Sequence, residues 1–208
     1  AAYGVDLVLG PAVNLERNPL CGRNVEYLSE DPLLAGRLGG AYIRGVQSQQ
    51  VGACIKHFAA NNQETEREYL NVICEEDVLR DLYLKAFEIA IREGKPAAVM
   101  TSLSKINGTY CAENRWLFDI LRKEWGFDGI VMTDWWAVAN WEGEKQDRKN
   151  RAAMVQAQND IFMVCPDTEN ENAIDNIKAQ YTIGNITRGQ LQRNARNVLK
   201  FALRSLAM

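Results

Sequence analysis

The sequence has a single histidine, His57, and its few cysteines stand alone along the chain. No C-x-x-C pair occurs, so neither a structural zinc site nor a disulfide framework has the spacing it needs. The five cysteines are Cys21, Cys54, Cys74, Cys111 and Cys165. We therefore expect no metal and no cofactor.

The sequence also lacks an excess of positive charge. It has 24 Lys and Arg residues and 27 Asp and Glu residues, so the net charge is −3. No basic block offers the electrostatic footprint of a nucleic-acid-binding protein, so nucleic acid is excluded as an expected partner.

Long hydrophobic runs are missing as well. The apolar stretches at residues 5–9 and 130–132 are far too short to span a bilayer, and we expect no membrane partner. The opening AAYGVDLVLG lacks the charged and long apolar regions of a signal peptide. We expect a cytoplasmic protein, although a signal peptide that had been removed would leave no trace.

Short apolar runs alternate with longer amphipathic segments, in a chain with the composition of a globular domain, 47% hydrophobic and 25% charged. The runs predicted to be buried strands are GVDLVLGP, VGACIKHF, PAAVMTSL, GIVMTDWW and NDIFMVCP. The segments predicted to be helices are 32–46, 75–92, 114–125, 147–158, 173–180 and 188–206. Continuous apolar strands that alternate with helices indicate a parallel sheet covered by helices.

The fold class is therefore α/β, and the pattern indicates an incomplete TIM-type (β/α) barrel. Five strand-helix units are clear, and one further strand is doubtful between residues 178 and 183. A complete barrel typically takes about 250 residues. Since no linker or repeat divides the chain, we expect one domain over residues 1–208.

Polar residues follow each apolar run, at the carboxyl ends of the strands where α/β proteins carry their chemistry. They are Asn14 and Arg23, Lys56-His57, Ser102-Leu103-Ser104, Thr133-Asp134-Trp135-Trp136, and Pro166-Asp167. We expect one carboxylate, several cations and an aromatic pair to converge. A carboxylate beside indole rings suits a sugar, whose C–H faces pack on aromatic rings.

Simpler interpretations exist for each residue. Asp134 could cap a helix, Lys56 could be solvated, and His57 could be a packed structural histidine. Arg23 and Arg67 could form surface ion pairs of low energy with glutamates nearby. Those partners are Glu26 or Glu30 for Arg23, and Glu64 or Glu68 for Arg67.

Six motifs in order nevertheless resemble the catalytic barrel of glycoside hydrolase family 3, the β-glucosidase type, over nearly the whole chain. They are GVDLVLGPAVNLERNPLCGRNVEYLSEDP, GVQSQQVGACIKHFAANNQETER, LRDLYLKAFEIAI, AVMTSLSKINGTYCAEN, LRKEWGFDGIVMTDWWAV and NDIFMVCP.

This resemblance implies retaining cleavage of β-glucosides through a covalent glycosyl-enzyme. Asp134 matches the nucleophile of the family, and Trp135 matches the tryptophan that packs at the sugar. The residues that match contacts to glycone hydroxyls are Arg23, Lys56, His57 and Arg67. We expect the cations to keep Asp134 ionised at neutral pH.

Three departures from the family pattern matter. The family barrel begins two strands earlier, so we expect a barrel truncated at both ends relative to the family and without one glycone-binding aspartate. Leu103 stands where a tyrosine is usual. The acid/base glutamate normally lies in a later domain, or a histidine follows the fifth strand, but SLSKINGTYCAEN has none. Glu142, Glu144 or Asp147 could substitute, although a solvated helix start is the simpler role for them.

The missing general base leaves the acceptor open between water and inorganic phosphate, which arrives ionised and suits the cluster of Arg23, Lys56 and Arg67. Retention would give the β-anomer of glucose 1-phosphate. The competing interpretation is a non-catalytic carbohydrate-binding remnant or structural fragment.

Unpaired edges at GVDLVLG and at the last strand also predict a two-fold homodimer that closes the gap. The alternative is that the terminal helix 188–206 covers the open edge.

Overall fold

A computed structural model describes residues 3–141, 145–163 and 175–207. Its main sheet has four parallel strands in the order β1-β2-β4-β7, and Ile161 adds an isolated parallel bridge beside Met132. The strands are β1 (Leu7–Val8), β2 (Gly52–Phe58), β4 (Ala98–Thr101) and β7 (Ile130–Met132). The prediction of an α/β fold with parallel strands is confirmed, and the five strand positions lie within the five apolar runs.

Helices follow the strands as the amphipathic segments indicate, and two of them contain π-helical turns. The helices are α1 (Pro32–Gln47), α2 (Glu76–Val78), α3 (Lys85–Gly94), α4 (Arg115–Asp119), α5 (Arg151–Ala157), α6 (Ile177–Thr182) and α7 (Arg188–Ala207), with π-helical turns at Leu79–Tyr83 and Ile120–Glu124 and a 3-10 turn at Cys111–Glu113. No helix in these described ranges is long and apolar enough to cross a membrane.

The doubtful prediction of a strand between residues 178 and 183 is wrong, because α6 occupies this segment. No side chain of α6 is buried, so this segment adds nothing to the apolar core. The carboxyl group of Asp175 accepts a hydrogen bond from the amide of Ile177 and helps to start the helix.

A small second sheet joins the loop after β2 to the loop after β4. It consists of β3 (Asn71–Val72), β5 (Lys105–Ile106) and β6 (Thr109–Tyr110), with β5 and β6 antiparallel. Asn107 and Gly108 connect the two strands and both have positive φ, at 48° and 92°. Asn-Gly is the strongest short signal for such a hairpin turn.

Alternate residues of the strands build two apolar layers. Ala53 and Ile55 of β2 pack in the large core between sheet and helices, whereas Cys54 faces the interior of the curved sheet. The interior cluster is formed by Cys54, Ala98, Met100, Ile130 and Met132. Side chains at the carboxyl ends of the strands therefore lie above an apolar floor, which is this interior cluster.

Helix α7 lies across the amino ends of the strands. Phe201 packs against the interior cluster, Arg204 pairs with Asp128 at 3.1 Å, and the Ser205 hydroxyl donates to Asp6 at 2.5 Å. Asp6 directly precedes β1, and Asp128 lies two residues before the start of β7. The helix thus closes the bottom of the sheet, while β1 pairs only with β2 in the part of the chain that the structure describes.

Close contact between α1 and α3 depends on glycine. A Cβ atom at Gly36 would lie 2.7 Å from the Ile89 Cβ and 3.0 Å from the Ala86 carbonyl oxygen, whereas one at Gly45 would meet nothing within 4 Å. Gly36 is buried and Gly45 is exposed on the same helix.

We predict that Gly36→Ala lowers the free energy of unfolding by about 1–3 kcal/mol, because the helices must separate to admit the methyl group. The matched variant Gly45→Ala should raise it by up to about 1 kcal/mol through helix propensity. Urea denaturation of both variants measures this. Equal effects of the two substitutions would contradict the packing explanation.

Candidate active site

Asp134 and His57 meet above the interior cluster. Asp134 follows β7 and is 8% exposed, and its Oδ2 lies 3.9 Å from Nε2 of His57, which is 1% exposed. Its Oδ1 accepts a hydrogen bond from the Trp135 amide at 2.7 Å. The next described helix begins at Arg151, so Asp134 does not act as a helix N-cap in the described chain.

Strand β2 brings both Lys56 and His57 to the site. Neighbouring strand residues normally point to opposite faces, but the pairing of β2 with β4 shifts register between Ile55 and Phe58. The side-chain amide of Asn14 then holds the backbone of His57, donating to its carbonyl at 2.9 Å and accepting from its amide at 2.8 Å. Sequence reasoning placed Asn14 near the site without this role.

Burial controls the protonation of His57. Desolvation lowers the pKa of His57 to about 2, and the positive charges of Arg23, Lys56 and Arg67 act in the same direction. Its buried Nδ1 has no hydrogen-bond partner among the described residues. The imidazole is therefore neutral.

The three cations also act on Asp134, so the structure brings all five polar candidate residues into one electrostatic neighbourhood. Burial raises the pKa of Asp134, while the Trp135 amide, Arg67, Arg23 and Lys56 lower it. The net shift is upward. Desolvation of the carboxylate is the largest contribution and acts against the attraction of the cations, and the expectation that the cations keep Asp134 ionised at neutral pH stays a prediction.

Glu26 connects two of the cations. One of its carboxylate oxygens lies 2.5 Å from Nε of Arg23, and the other lies 3.0 Å from Nζ of Lys56. The simpler interpretation of Arg23 as the partner of Glu26 is therefore correct as far as it goes. Because the same carboxylate binds Lys56, the pair also fixes two residues of the site relative to each other, and the three-residue spacing from Arg23 was the available signal.

Glu64 holds the third cation in the same way. It pairs with Arg67 at 3.1 Å and accepts from the Asn61 side chain at 2.9 Å. Tyr27 donates to the carbonyl of Asn61 at 2.8 Å. Arg67 is thus anchored through the partly buried Glu64, which is held by the buried Asn61, and not through Glu68.

The two tryptophans after Asp134 have different surroundings. Trp135 is partly buried and packs against the interior cluster. Trp136 is 39% exposed, and the guanidinium of Arg148 lies over its ring. Only Trp135 shares the apolar floor beneath Asp134.

The candidates Ser102, Leu103 and Ser104 add no charged group to the site. Leu103 packs in a separate apolar cluster with Ala112 and Met154, and the hydroxyls of Ser102 and Ser104 bond to each other at 2.9 Å. The candidates Glu142, Glu144, Pro166 and Asp167 lie outside the described residues.

Asp147, the third acid/base alternative, has a structural role in a turn. Its backbone pairs with that of Ala139, and its carboxylate accepts from the Lys149 amide at 2.9 Å. Within the described ranges no group of three or more His, Cys, Asp or Glu residues could hold a metal ion.

The model of the glycosyl hydrolase family 3 N terminal domain matches residues 1–201. The chain belongs to this family. It is 50% identical over 211 residues to a β-glucosidase of Ruminococcus albus, covering 100% of this chain and 22% of that protein.

Solved structures agree with the sequence match. A β-glucosidase from Paenibacillus barengoltzii superposes with a TM-score of 0.93 at 46% identity, covering 98% of this chain and 23% of that one. β-Glucosidase 3B from Thermotoga neapolitana, in complex with glucose, gives 0.87 at 45% identity, covering 97% and 28%. The chain therefore spans less than a third of the length of each of these proteins.

We predict that the imidazole of His57 does not titrate between about pH 5 and about pH 8, since its pKa lies far below the usual value of about 6.5. His57 is the only histidine, so a single ring resonance reports it in NMR spectra. A titration midpoint near 6.5 would show that the group is solvated and would contradict the buried site.

Proposed function

We propose that this chain carries the nucleophile and the glycone-binding residues of a retaining β-glucosidase. The observation that carries the proposal is the buried carboxyl group of Asp134, 3.9 Å from the neutral His57 and surrounded by Arg23, Lys56 and Arg67. Relatives named β-glucosidases, one of them solved with glucose, support this choice of substrate.

In the proposed reaction an oxygen of Asp134 attacks the anomeric carbon of a β-glucoside. The bond to the aglycone oxygen breaks, and that oxygen leaves with the bonding electrons and takes up a proton. The product is an α-linked glucosyl ester of Asp134. Attack by an acceptor on its anomeric carbon breaks the bond to Asp134, which leaves as the carboxylate, and a water acceptor releases a proton to solvent. The centre is inverted again, which restores the β configuration.

The remaining residues bind the sugar ring. Lys56, Arg23 and Arg67 donate charge-assisted hydrogen bonds to its hydroxyl groups, and Trp135 supplies an apolar surface. The neutral His57 donates a hydrogen bond without adding a further charge beside the nucleophile. Because Asp134 must be ionised to attack, we expect the glucosylation rate to decrease as the pH is lowered below the raised pKa of this carboxyl group.

We propose water as the acceptor, since the relatives are named as glucosidases. Phosphate needs no general base and suits the same cations, so it is the competing acceptor. A carbohydrate-binding remnant would bind glucose but form no ester.

A reagent that needs no general acid tests the nucleophile alone. We predict that 2,4-dinitrophenyl 2-deoxy-2-fluoro-β-glucoside transfers one fluoroglucosyl group per chain and that peptide mass spectrometry maps it to Asp134. Asp134→Asn should lose the label, whereas the matched variant Asp119→Asn, whose partner is the exposed Lys123, should keep it. A label elsewhere, or none, would contradict the proposal.

The acceptor follows from the fate of the labelled chain. Incubation in buffer, with phosphate or with azide separates the cases, because azide needs no base and reports a competent ester. We expect 2-deoxy-2-fluoro-β-glucosyl azide with azide and reactivation that does not depend on phosphate concentration. Formation of 2-deoxy-2-fluoro-β-glucosyl phosphate would show phosphorolysis instead.

We also infer that a second copy covers the outer edge of β1. Apolar side chains are exposed on both sides of β1 in the chain and on α1, whose Tyr42 approaches Gly10. They are Val5, Leu9, Leu34, Leu38 and Tyr42. Light scattering should show a dimer at micromolar concentration that Leu38→Glu dissociates, and a wild-type monomer would contradict this inference.

A further inference from the structure

Trp136 is an exposed indole two residues after the candidate nucleophile. Its backbone has φ of 67°, the left-handed region that residues other than glycine rarely adopt, and its amide donates to the Met163 carbonyl at 3.1 Å. Left-handed conformations of bulky residues are unfavourable and concentrate at functional sites. The turn therefore holds this ring in a place where a relaxed backbone would not put it.

Arg148 links this ring to the opposite loop. Its guanidinium carbon lies 5.5 Å from the centre of the Trp136 ring, and its Nη2 lies 3.1 Å from Oε2 of Glu68. Glu68 directly follows Arg67, which acts on Asp134. Glu68, Arg148 and Trp136 thus form an arc between two loops that each carry a residue of the site.

The arc lies at the rim of the site and not in its floor. Trp135 is packed on the interior cluster, but Trp136 keeps 39% of its surface exposed and Arg148 is exposed too. The arginine occupies one face of the indole, so the solvent-exposed surface of the ring remains for another planar group. Aromatic rings and the C–H faces of sugars both pack on such a surface.

We propose that Trp136 is a specificity-determining residue that contacts the aglycone and favours a flat one, either an aryl group or a pyranose ring. This rests on the proposed function, because an aglycone subsite exists only if Asp134 attacks a glucoside. Arg148 acts as a positioning residue behind the ring.

Two reagents with the same glycone separate an aglycone contact from a general effect. They are 2,4-dinitrophenyl 2-deoxy-2-fluoro-β-glucoside, which has an aryl aglycone, and 2-deoxy-2-fluoro-β-glucosyl fluoride, which has none. Trp136→Ala should raise the half-saturating concentration of the aryl reagent about tenfold and leave that of the fluoride unchanged. Trp136→Phe should retain most of the affinity, and Arg148→Met should lose about threefold.

Trp116 provides the matched control. Arg80 lies over its ring at 5.6 Å and is held in turn by Glu124, so it repeats the arrangement within the helical layer. Trp116→Phe should affect neither reagent.

The outcomes distinguish this inference from the proposed function. A wild-type chain labelled by neither reagent contradicts both. If the wild type is labelled but Trp136→Ala raises the half-saturating concentration of both reagents equally, or of neither, only the aglycone contact is contradicted. The arc would then serve only to connect the two loops. Circular dichroism melting of each variant confirms that the fold is intact.

Discussion

The burial of Asp134 and His57 beside three positive charges determines how these two side chains are protonated. For Asp134 burial and the cations act in opposite directions on the pKa, whereas for His57 they act together. The same surroundings therefore produce a carboxyl group with a raised pKa beside an imidazole that stays neutral. In the proposed reaction, an exposed carboxylate would be ionised more easily but would lose the water-free contact with substrate that makes its charge effective.

The architecture supplies these surroundings through the parallel sheet. Parallel strands end on the same edge, so residues that are far apart in sequence, such as His57 and Asp134, become neighbours. The cluster of Cys54, Met100 and Met132 lies below them and keeps the floor apolar. Carboxylates that already hold the cations, Glu26 and Glu64, keep the positive charges oriented before any sugar is bound, which reduces the reorganisation needed on binding.

Much of the fold could be predicted from the sequence because buried parallel strands appear as continuous apolar runs, and amphipathic helices fill the gaps between them. The weak signals were local ones. The segment 177–182, IKAQYT, alternates apolar and polar residues as a strand does, although it folds as a helix, so its hydrophobic pattern is misleading. The Asn107-Gly108 dipeptide is a clear turn signal, but the hairpin was not predicted because its loop was considered only for catalytic side chains.

The candidate site was predictable to the level of residue type and strand end, but its electrostatics were not. Whether burial or the cations dominate at Asp134 depends on distances and exposed fractions that a sequence does not contain. The double role of Glu26 was hidden for a related reason, since Arg23 and Lys56 are separated by 33 residues and only the fold brings both to one carboxylate.

The most direct test is the pKa of Asp134 itself, measured from its side-chain carboxyl carbon by NMR and assigned with Asp134→Asn. The account predicts a pKa above the usual aspartate value in the wild-type chain and a further rise in Lys56→Met, because this variant removes a positive charge that favours the carboxylate. A wild-type pKa at or below the usual value, or no rise in the variant, would contradict the balance of burial and charge on which the proposed chemistry depends.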